Sequence, residues 1–397
     1  MTYLLFVSAV AGLVSIPVEL DTLDGCTTRG ALAEWTSESI LIDTETGRRV
    51  IPLRELLAVR LHGPPSAGAE PAGIRLELID GSLLRARRYA VHAGVASVTV
   101  ADGTVIEIPT GSVAAAHLNE PTDAIEAQWQ EIRKSALTGD VLVVGKGQHV
   151  DYLEGVLGDI TDDVIHFQID GQEVPVRRSK VQGFLYYRRT DPALAEPICR
   201  MVGRDGTELN VRSVSLADGQ FHVVGLTDLE WAPPVGLIER FDFSPGKVLY
   251  LSDLAPESAQ WTPYFDLPLS DRVRAHYGAP RRNVAFEGGE LRLGGQRYAK
   301  GLALRSRSEV RYQLPDRFRI LSAVAGIDDR MAGRGHVRLV IQGDGRTLFD
   351  QPVAGQDPPR ALKVDIQGVR QLTVLVDYGA DLDLADQLDL CDARISK

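Results

Sequence analysis

Short apolar runs alternate with turn dipeptides along most of this chain. Ser39-Ile40-Leu41-Ile42 runs apolar before Thr46-Gly47, Val95 to Val100 precedes Asp102-Gly103, and Val164 to Ile169 precedes Asp170-Gly171. An apolar run closed by such a dipeptide predicts a β-hairpin, because the turn needs residues that tolerate positive φ. Gln220 to Gly225 has the run but lacks a clear turn. Further on, Leu291-Arg292-Leu293 meets Gly294-Gly295, Val310 to Leu314 alternates, and Val337 to Ile341 precedes Asp344-Gly345; Leu362 to Ile366 and Leu372 to Val376 complete the set. Strands at these intervals predict a jelly-roll β-sandwich over residues 251–397. The helical pattern lies between Pro121 and Thr138, where Ile125, Trp129, Ile132 and Leu137 fall near helical spacing and Asn119 or Thr122 offers a cap.

The first two-thirds repeats itself. Asp24-Gly25 is followed by Ile51-Pro52, Asp80-Gly81 by Ile108-Pro109, Lys146-Gly147 by Val174-Pro175, and Asp205-Gly206 by Pro233-Pro234; the Gly-to-Pro separations are 27, 28, 28 and 28. Agreement over four intervals indicates tandem units. Units of about 50 residues with four or five short strands have the size of SH3- or Sm-like barrels, standing singly or as two pairs that share cores. The expected architecture is all-β. Barrel repeats occupy residues 17–64, 70–119, 139–190 and 194–250, a connector helix 120–138, and the sandwich 251–397. Residues 1–16 read either as the remnant of a secretory signal or as a first strand: Met1 to Val18 is apolar and uncharged, Ala9-Val10-Ala11 has the small-x-small form of a cleavage site, and no Lys or Arg precedes it.

Composition narrows the function classes. The chain has 397 residues, enough for two to four domains, with 44% hydrophobic and 24% charged residues, as in globular proteins. Its formal net charge of -11 argues against non-specific nucleic-acid binding, which needs a dense cationic surface. No segment after the amino terminus is apolar enough for a membrane span. Cys26, Cys199 and Cys391 are too widely spaced for a zinc site and are expected to be small buried apolar residues, with one long-range disulfide open in an oxidising compartment. H-E-x-x-H, G-x-S-x-G and Walker A motifs are absent, so no enzyme is expected.

Four motifs of the last third point to a family. Tyr298-Ala299-Lys300-Gly301-Leu302 with Ser308, then Gly326-Ile327-Asp328-Asp329, then Asp344-Gly345-Arg346-Thr347-Leu348-Phe349, and finally Asp389 with Asp392-Ala393-Arg394-Ile395, occur in order over about 145 residues. This stretch resembles the NPCBM family of carbohydrate-binding modules. The resemblance implies a galactose-binding-like fold and binding of sugars such as galactose, as in modules that accompany glycoside hydrolases. The sequence departs from the family where Arg305 stands in place of a frequent His, Gln387 in place of a His, and Leu390 in place of a Trp.

A sugar site needs planar polar groups for the hydroxyls and an aromatic face for the C–H side. Arg305, Asp328 and Asp329 are candidates for the polar half, with Arg307 and Arg330 beside them, and Tyr298 or Tyr378 for the face; Asp328 and Asp329 equally suit bonding to loop amides. Asp381, Asp383, Asp386 and Asp389 form an oxygen-rich run whose members Asp383, Asp386 and Asp389 suit a structural calcium ion or a solvated acidic loop. The expectation is thus a non-catalytic glycan-binding protein of the secreted, periplasmic or cell-envelope fraction, binding a galactose-containing glycan. The alternative is a structural or assembly protein whose barrels self-associate by strand-edge pairing.

Overall fold

The computed structural model describes residues 16–63, 72–147, 149–190, 192–265, 270–315, 317–331, 333–380 and 382–397. Residues 1–15, where a signal remnant is expected, and Asp381 lie outside them. The chain divides into two compact units, Met1–Pro245 and Gly246–Lys397. Both are built of antiparallel strands. Among the described residues no helix is long and apolar enough to cross a membrane.

The first unit contains four successive sets of five strands. In the first set Ile16–Thr22, Thr27–Trp35, Ser39–Thr44 and Gly47–Pro52 pair in order, a turn of 3-10 helix at Leu53–Glu55 follows, and Leu56–Leu61 returns to the first strand, with Leu20 opposite Val59. The same pairing recurs over Ile74–Leu78 to Val113–His117, Asp140–Lys146 to Val181–Leu185, and Cys199–Gly203 to Ile238–Asp242.

Local chemistry explains the recurrence. Gly81 turns between the first two strands of its set at φ 79, a conformation costly for a side chain. Pro52, Pro109 and Pro234 each stand directly before the 3-10 turn with φ near -60. Proline's fixed φ suits that position, and its missing N–H ends the strand. The third set differs: Pro175 lies inside Gln172–Arg177, opposite His166, and Arg177 takes the position before the turn. Proline is tolerated there because that strand pairs on one side only. The turn not legible in the fourth set is at Thr227-Asp228, where Asp228 adopts φ 60 in place of a glycine.

The sets are joined through their fifth strands. Phe241 lies opposite Val59, pairing the fourth set with the first, and Phe184 lies opposite Ala116, pairing the third with the second. All four feed one apolar cluster. Within it Trp35 packs on Phe221, Phe241 and Phe243 at centroid distances of 5.6, 4.8 and 6.1 Å. A five-strand set alone would bury too little apolar surface, and the merged core supplies the rest.

The expected helix runs over Asp123–Lys134. Thr122 caps it, its hydroxyl accepting from the Ile125 N–H at 3.4 Å, and it buries Ile125, Trp129 and Ile132. Trp129 and Ile132 pack on Ala115, Val141, Val143 and Leu185. Of the cysteines, Cys199 and Cys391 are buried, whereas Cys26 is exposed beside a turn; all three are free thiols. The expectation of three buried cysteines thus fails at Cys26, which sits where the chain reverses between Ile16–Thr22 and Thr27–Trp35.

The second unit has two main sheets. One orders Arg281–Arg282, Gly301–Arg305, Gln387–Ser396, Ile320–Ile327 and Arg360–Asp365, with Val248–Tyr250 also on Gln387–Ser396; the other orders Ser258–Trp261, Ser308–Gln313, Gln371–Tyr378, His336–Gly343 and Arg346–Ala354. Their alternating apolar positions, Leu302, Leu304, Leu388 and Leu390 from the first and Val310, Leu339, Val374 and Val376 from the second, share one core. Each such buried side chain contributes about 1.5–3 kcal/mol. Tight turns with both central residues at positive φ close the hairpins at Gly294-Gly295 and Asp344-Gly345.

Candidate functional site

The expected site residues separate into two groups. Asp328 and Asp329 follow the strand Ile320–Ile327. Asp329 accepts from the N–H groups of Gly294 and Gly295 at 2.7 and 2.8 Å, and Asp328, 2% exposed, accepts from the Arg330 N–H at 2.8 Å and the Arg330 guanidinium at 2.7 Å. Both carboxylates thus bond the loop, as the second reading of the sequence expected. Tyr298 is likewise turned to packing, half-buried against the cluster of Phe286, Leu291, Leu293 and Cys391; burial raises its phenol pKa.

The aspartates proposed for calcium do not converge. Asp386 is buried and accepts from the Ser306 hydroxyl at 2.7 Å and the His336 N–H at 2.9 Å. Asp389, on the strand Gln387–Ser396, accepts from the Arg292 N–H at 3.3 Å and shares a hydrogen bond with Asp328. Burial beside the Asp328 carboxyl pushes Asp389 up to about 8. This burial favours its neutral form over the carboxylate. Asp383 stays partly exposed in the preceding loop. Among the described residues no group of three or more His, Cys, Asp or Glu side chains is placed to hold a metal ion.

Arg305 is different. It ends the strand Gly301–Arg305, opposite Gln387, and its guanidinium lies 4.6 Å from the centre of the Phe286 ring. The opposing guanidinium of Arg281 is 5.2 Å from the same ring and is consumed by the carbonyls of Phe286, Ala285 and His276. The Arg305 Nε is buried and has no hydrogen-bond partner among the described residues. Burial lowers the pKa of Arg305, and Glu287 opposes that shift. Glu287 is exposed, and Gln387, 8% exposed, points its Nε2 at the Glu287 carboxylate from 3.5 Å.

The loop carrying Phe286 and Glu287 is shaped by its own backbone. Asn283 adopts φ 61 and accepts from the Gly301 N–H at 3.1 Å, and Gly288 and Gly289 follow at positive φ. Arg330 reaches into this loop, donating to the carbonyls of Gly288 and Glu290 at 3.2 and 3.1 Å. Asp328 thus acts on the site at one remove: it orients Arg330, and Arg330 holds the loop that presents Glu287. Sequence reading found Arg305 and Gln387 as departures from a family pattern and missed Phe286 and Glu287. Their segment has no strand periodicity, and only the fold brings it to Arg305.

Two antiparallel sheets around one core, with a guanidinium, a carboxylate and an amide gathered on strand ends and loops, define a β-sheet binding module. More particularly, residues 247–396 are an NPCBM/NEW2 domain. A "Putative endo-alpha-N-acetylgalactosaminidase" of Renibacterium salmoninarum is 30% identical over 117 residues, which are 28% of this chain and 8% of that protein. The chain thus spans only a small part of the curated relative it matches. Among solved structures, the CBM51 of Clostridium perfringens GH95 in complex with methyl-galactose is similar at 25% identity, covering 38% of this chain and 99% of that one with a TM-score of 0.32. The CBM51-2 and INT domains of Clostridium perfringens ZmpB, in complex with GlcNAc, are similar at 19% identity, covering 50% and 43% with a TM-score of 0.33.

Proposed function

We propose that this chain is a non-catalytic glycan-binding protein whose NPCBM/NEW2 module takes a sugar at Arg305, Glu287 and Gln387. The observation that carries the reading is the Arg305 side chain. Its Nε is buried without a partner among the described residues, its guanidinium lies over the Phe286 ring, and the exposed Glu287 acts on its charge. Arg305 as a whole is only half-buried, so its desolvated guanidinium gains from acceptor oxygens that a ligand brings to its accessible part. A sugar hydroxyl pair suits the arrangement, accepting from guanidinium and donating to carboxylate. The family supports carbohydrate as the ligand class, and the glycosidase name of the Renibacterium relative supports a glycan setting.

The five-strand sets of the first unit support the reading of SH3- or Sm-like barrels, since each returns its fifth strand to its first after a 3-10 turn. Their proposed role is to present the module. A setting outside the cytoplasm completes the proposal, and cell fractionation tests it.

Calorimetric titration of the full chain with methyl galactoside and with N-acetylgalactosamine tests the site. At least one is expected to bind, with Arg305→Ala weakening it at least tenfold; absence of binding by both rejects the reading. Release of nitrophenol from nitrophenyl α-N-acetylgalactosaminide would reject the non-catalytic part.

A further inference from the structure

We infer that the module carries a second sugar-binding surface, an aromatic platform of Tyr264, Phe265 and Tyr378, which takes the next residue of an oligosaccharide whose terminal sugar sits at Arg305. The inference rests on the glycan reading of the Arg305 site and adds the length of the ligand.

The platform is built, not incidental. Tyr264 meets Tyr378 edge-on at 5.0 Å and Phe265 edge-on at 5.1 Å. Phe265 remains 63% exposed and Tyr264 40% exposed, so core packing does not account for either ring. The Tyr378 hydroxyl donates to the Thr262 carbonyl at 2.9 Å, which fixes the one ring of the three that comes from a regular strand.

The platform is fastened to the turn that carries Arg305. The Trp261 indole N–H donates to the Ser306 carbonyl at 2.9 Å, and the Thr262 N–H donates to the Arg307 carbonyl at 2.9 Å. Arg305 and Arg307 flank Ser306, whose hydroxyl is held by buried Asp386. Arg307 lies 3.7 Å from Asp377, the neighbour of Tyr378, and gives the rings a charged rim.

The chemistry selects the occupant. Aromatic faces take the apolar C–H side of a pyranose, and a rim of guanidinium and carboxylate takes its hydroxyls. Three rings offer far less than the roughly 800 Å² per partner of a stable protein interface. They suit a sugar residue adjoining the one at Arg305, to whose turn the Trp261 and Thr262 hydrogen bonds tie them.

Titrating the full chain with methyl galactoside and with galactotriose tests the inference. Galactotriose is expected to bind at least tenfold more tightly than methyl galactoside. Tyr264→Ala combined with Phe265→Ala is expected to weaken galactotriose about tenfold, or about 1.4 kcal/mol, and to leave methyl galactoside within twofold. Phe265→Ala alone, at the most exposed ring, is expected to weaken galactotriose about threefold. Equal affinity of the wild type for the two sugars, or unchanged galactotriose binding in the double variant, overturns the platform and leaves the Arg305 site standing. Failure of the wild type to bind either of these sugars overturns the platform, and failure to bind N-acetylgalactosamine as well overturns the Arg305 site.

Discussion

The two units of this chain use their polar residues differently. Among the described residues, the fully buried carboxylates, Asp328, Asp386 and Asp389, all belong to the second unit. In the first unit three turn carboxylates act locally: Asp80, Asp102 and Asp205 each accept from the N–H two residues on, at Ser82, Thr104 and Thr207, while the longer-range bonds of Asp159 and Asp162, to Ala93 and Arg88, are exposed. Asp386 instead joins Ser306 to His336, and Asp329 grips Gly294 and Gly295 from another loop. A repeated sheet stabilises itself by backbone pairing and a merged apolar core, so its charges stay at the surface. A module that must hold irregular loops in one geometry buries carboxylates to do it. The unpartnered Arg305 donor lies among those loops.

The largest effect is expected where the first unit's sets share a core. Trp35→Ala removes the ring that joins the first set to Phe221, Phe241 and Phe243 of the fourth. The expected cost is about 3–5 kcal/mol. Because the core is common, the first unit is expected to lose stability in one cooperative transition, read by chemical denaturation. Separate melting of the four sets would break the comparison.

Asp386→Ala comes next and tests the opposite design. It takes the acceptor from the buried Ser306 hydroxyl and from the His336 N–H, and each stranded donor costs about 1–3 kcal/mol. Denaturation of the second unit is expected to shift by about 3 kcal/mol, and sugar affinity to fall with it, since Ser306 follows Arg305. A variant within about 0.5 kcal/mol of wild type would show that the buried carboxylate does not secure the loop.

How much of this was legible beforehand follows from the same contrast. Turn glycines and apolar runs are local signals, so the hairpins at Asp170-Gly171 and Asp344-Gly345 and the helix buried through Trp129 could be read directly. The fourth set's turn was hidden because Asp228 takes the conformation normally marked by glycine. The family motifs were legible as strings, but which of the two readings of their aspartates, sugar contact or loop bonding, the fold favours was not. Asp328 and Asp329 are consumed within the fold, and nothing in their spacing reveals the Gly294, Gly295 and Asp389 partners. Phe286 and Glu287 carried no signal at all, because a grouping of residues distant in sequence exists only after the sheets pair.

Asp389 gives a pH-dependent test. Burial and the neighbouring Asp328 carboxyl push it up to about 8, far above the ordinary aspartate value of about 3.9. The folded protein therefore keeps a proton that the unfolded chain has released above about pH 4. This contribution is complete below about pH 4 and is lost as pH rises through about 8. Asp389→Asn places an amide N–H where the proton sits, so the variant is expected to lose less stability than wild type between pH 5 and pH 8. Parallel stability profiles for the two proteins would refute the shared proton.

The smallest expected effect lies in the first unit, at the cap of its helix. Thr122 accepts from the Ile125 N–H at a long 3.4 Å, while Asp123 and Glu126 in the first turn and Arg133 and Lys134 in the last already complement the helix dipole. The helix is also anchored by buried Ile125, Trp129 and Ile132. Thr122→Ala is therefore expected to cost only about 0.5–1 kcal/mol, seen as a small shift in denaturation midpoint with an unchanged slope. A loss comparable to that of Asp386→Ala would mean that a single local hydrogen bond governs the helix. The first unit would then depend, like the second, on individual polar contacts, and its merged core would no longer explain why its charges can stay outside.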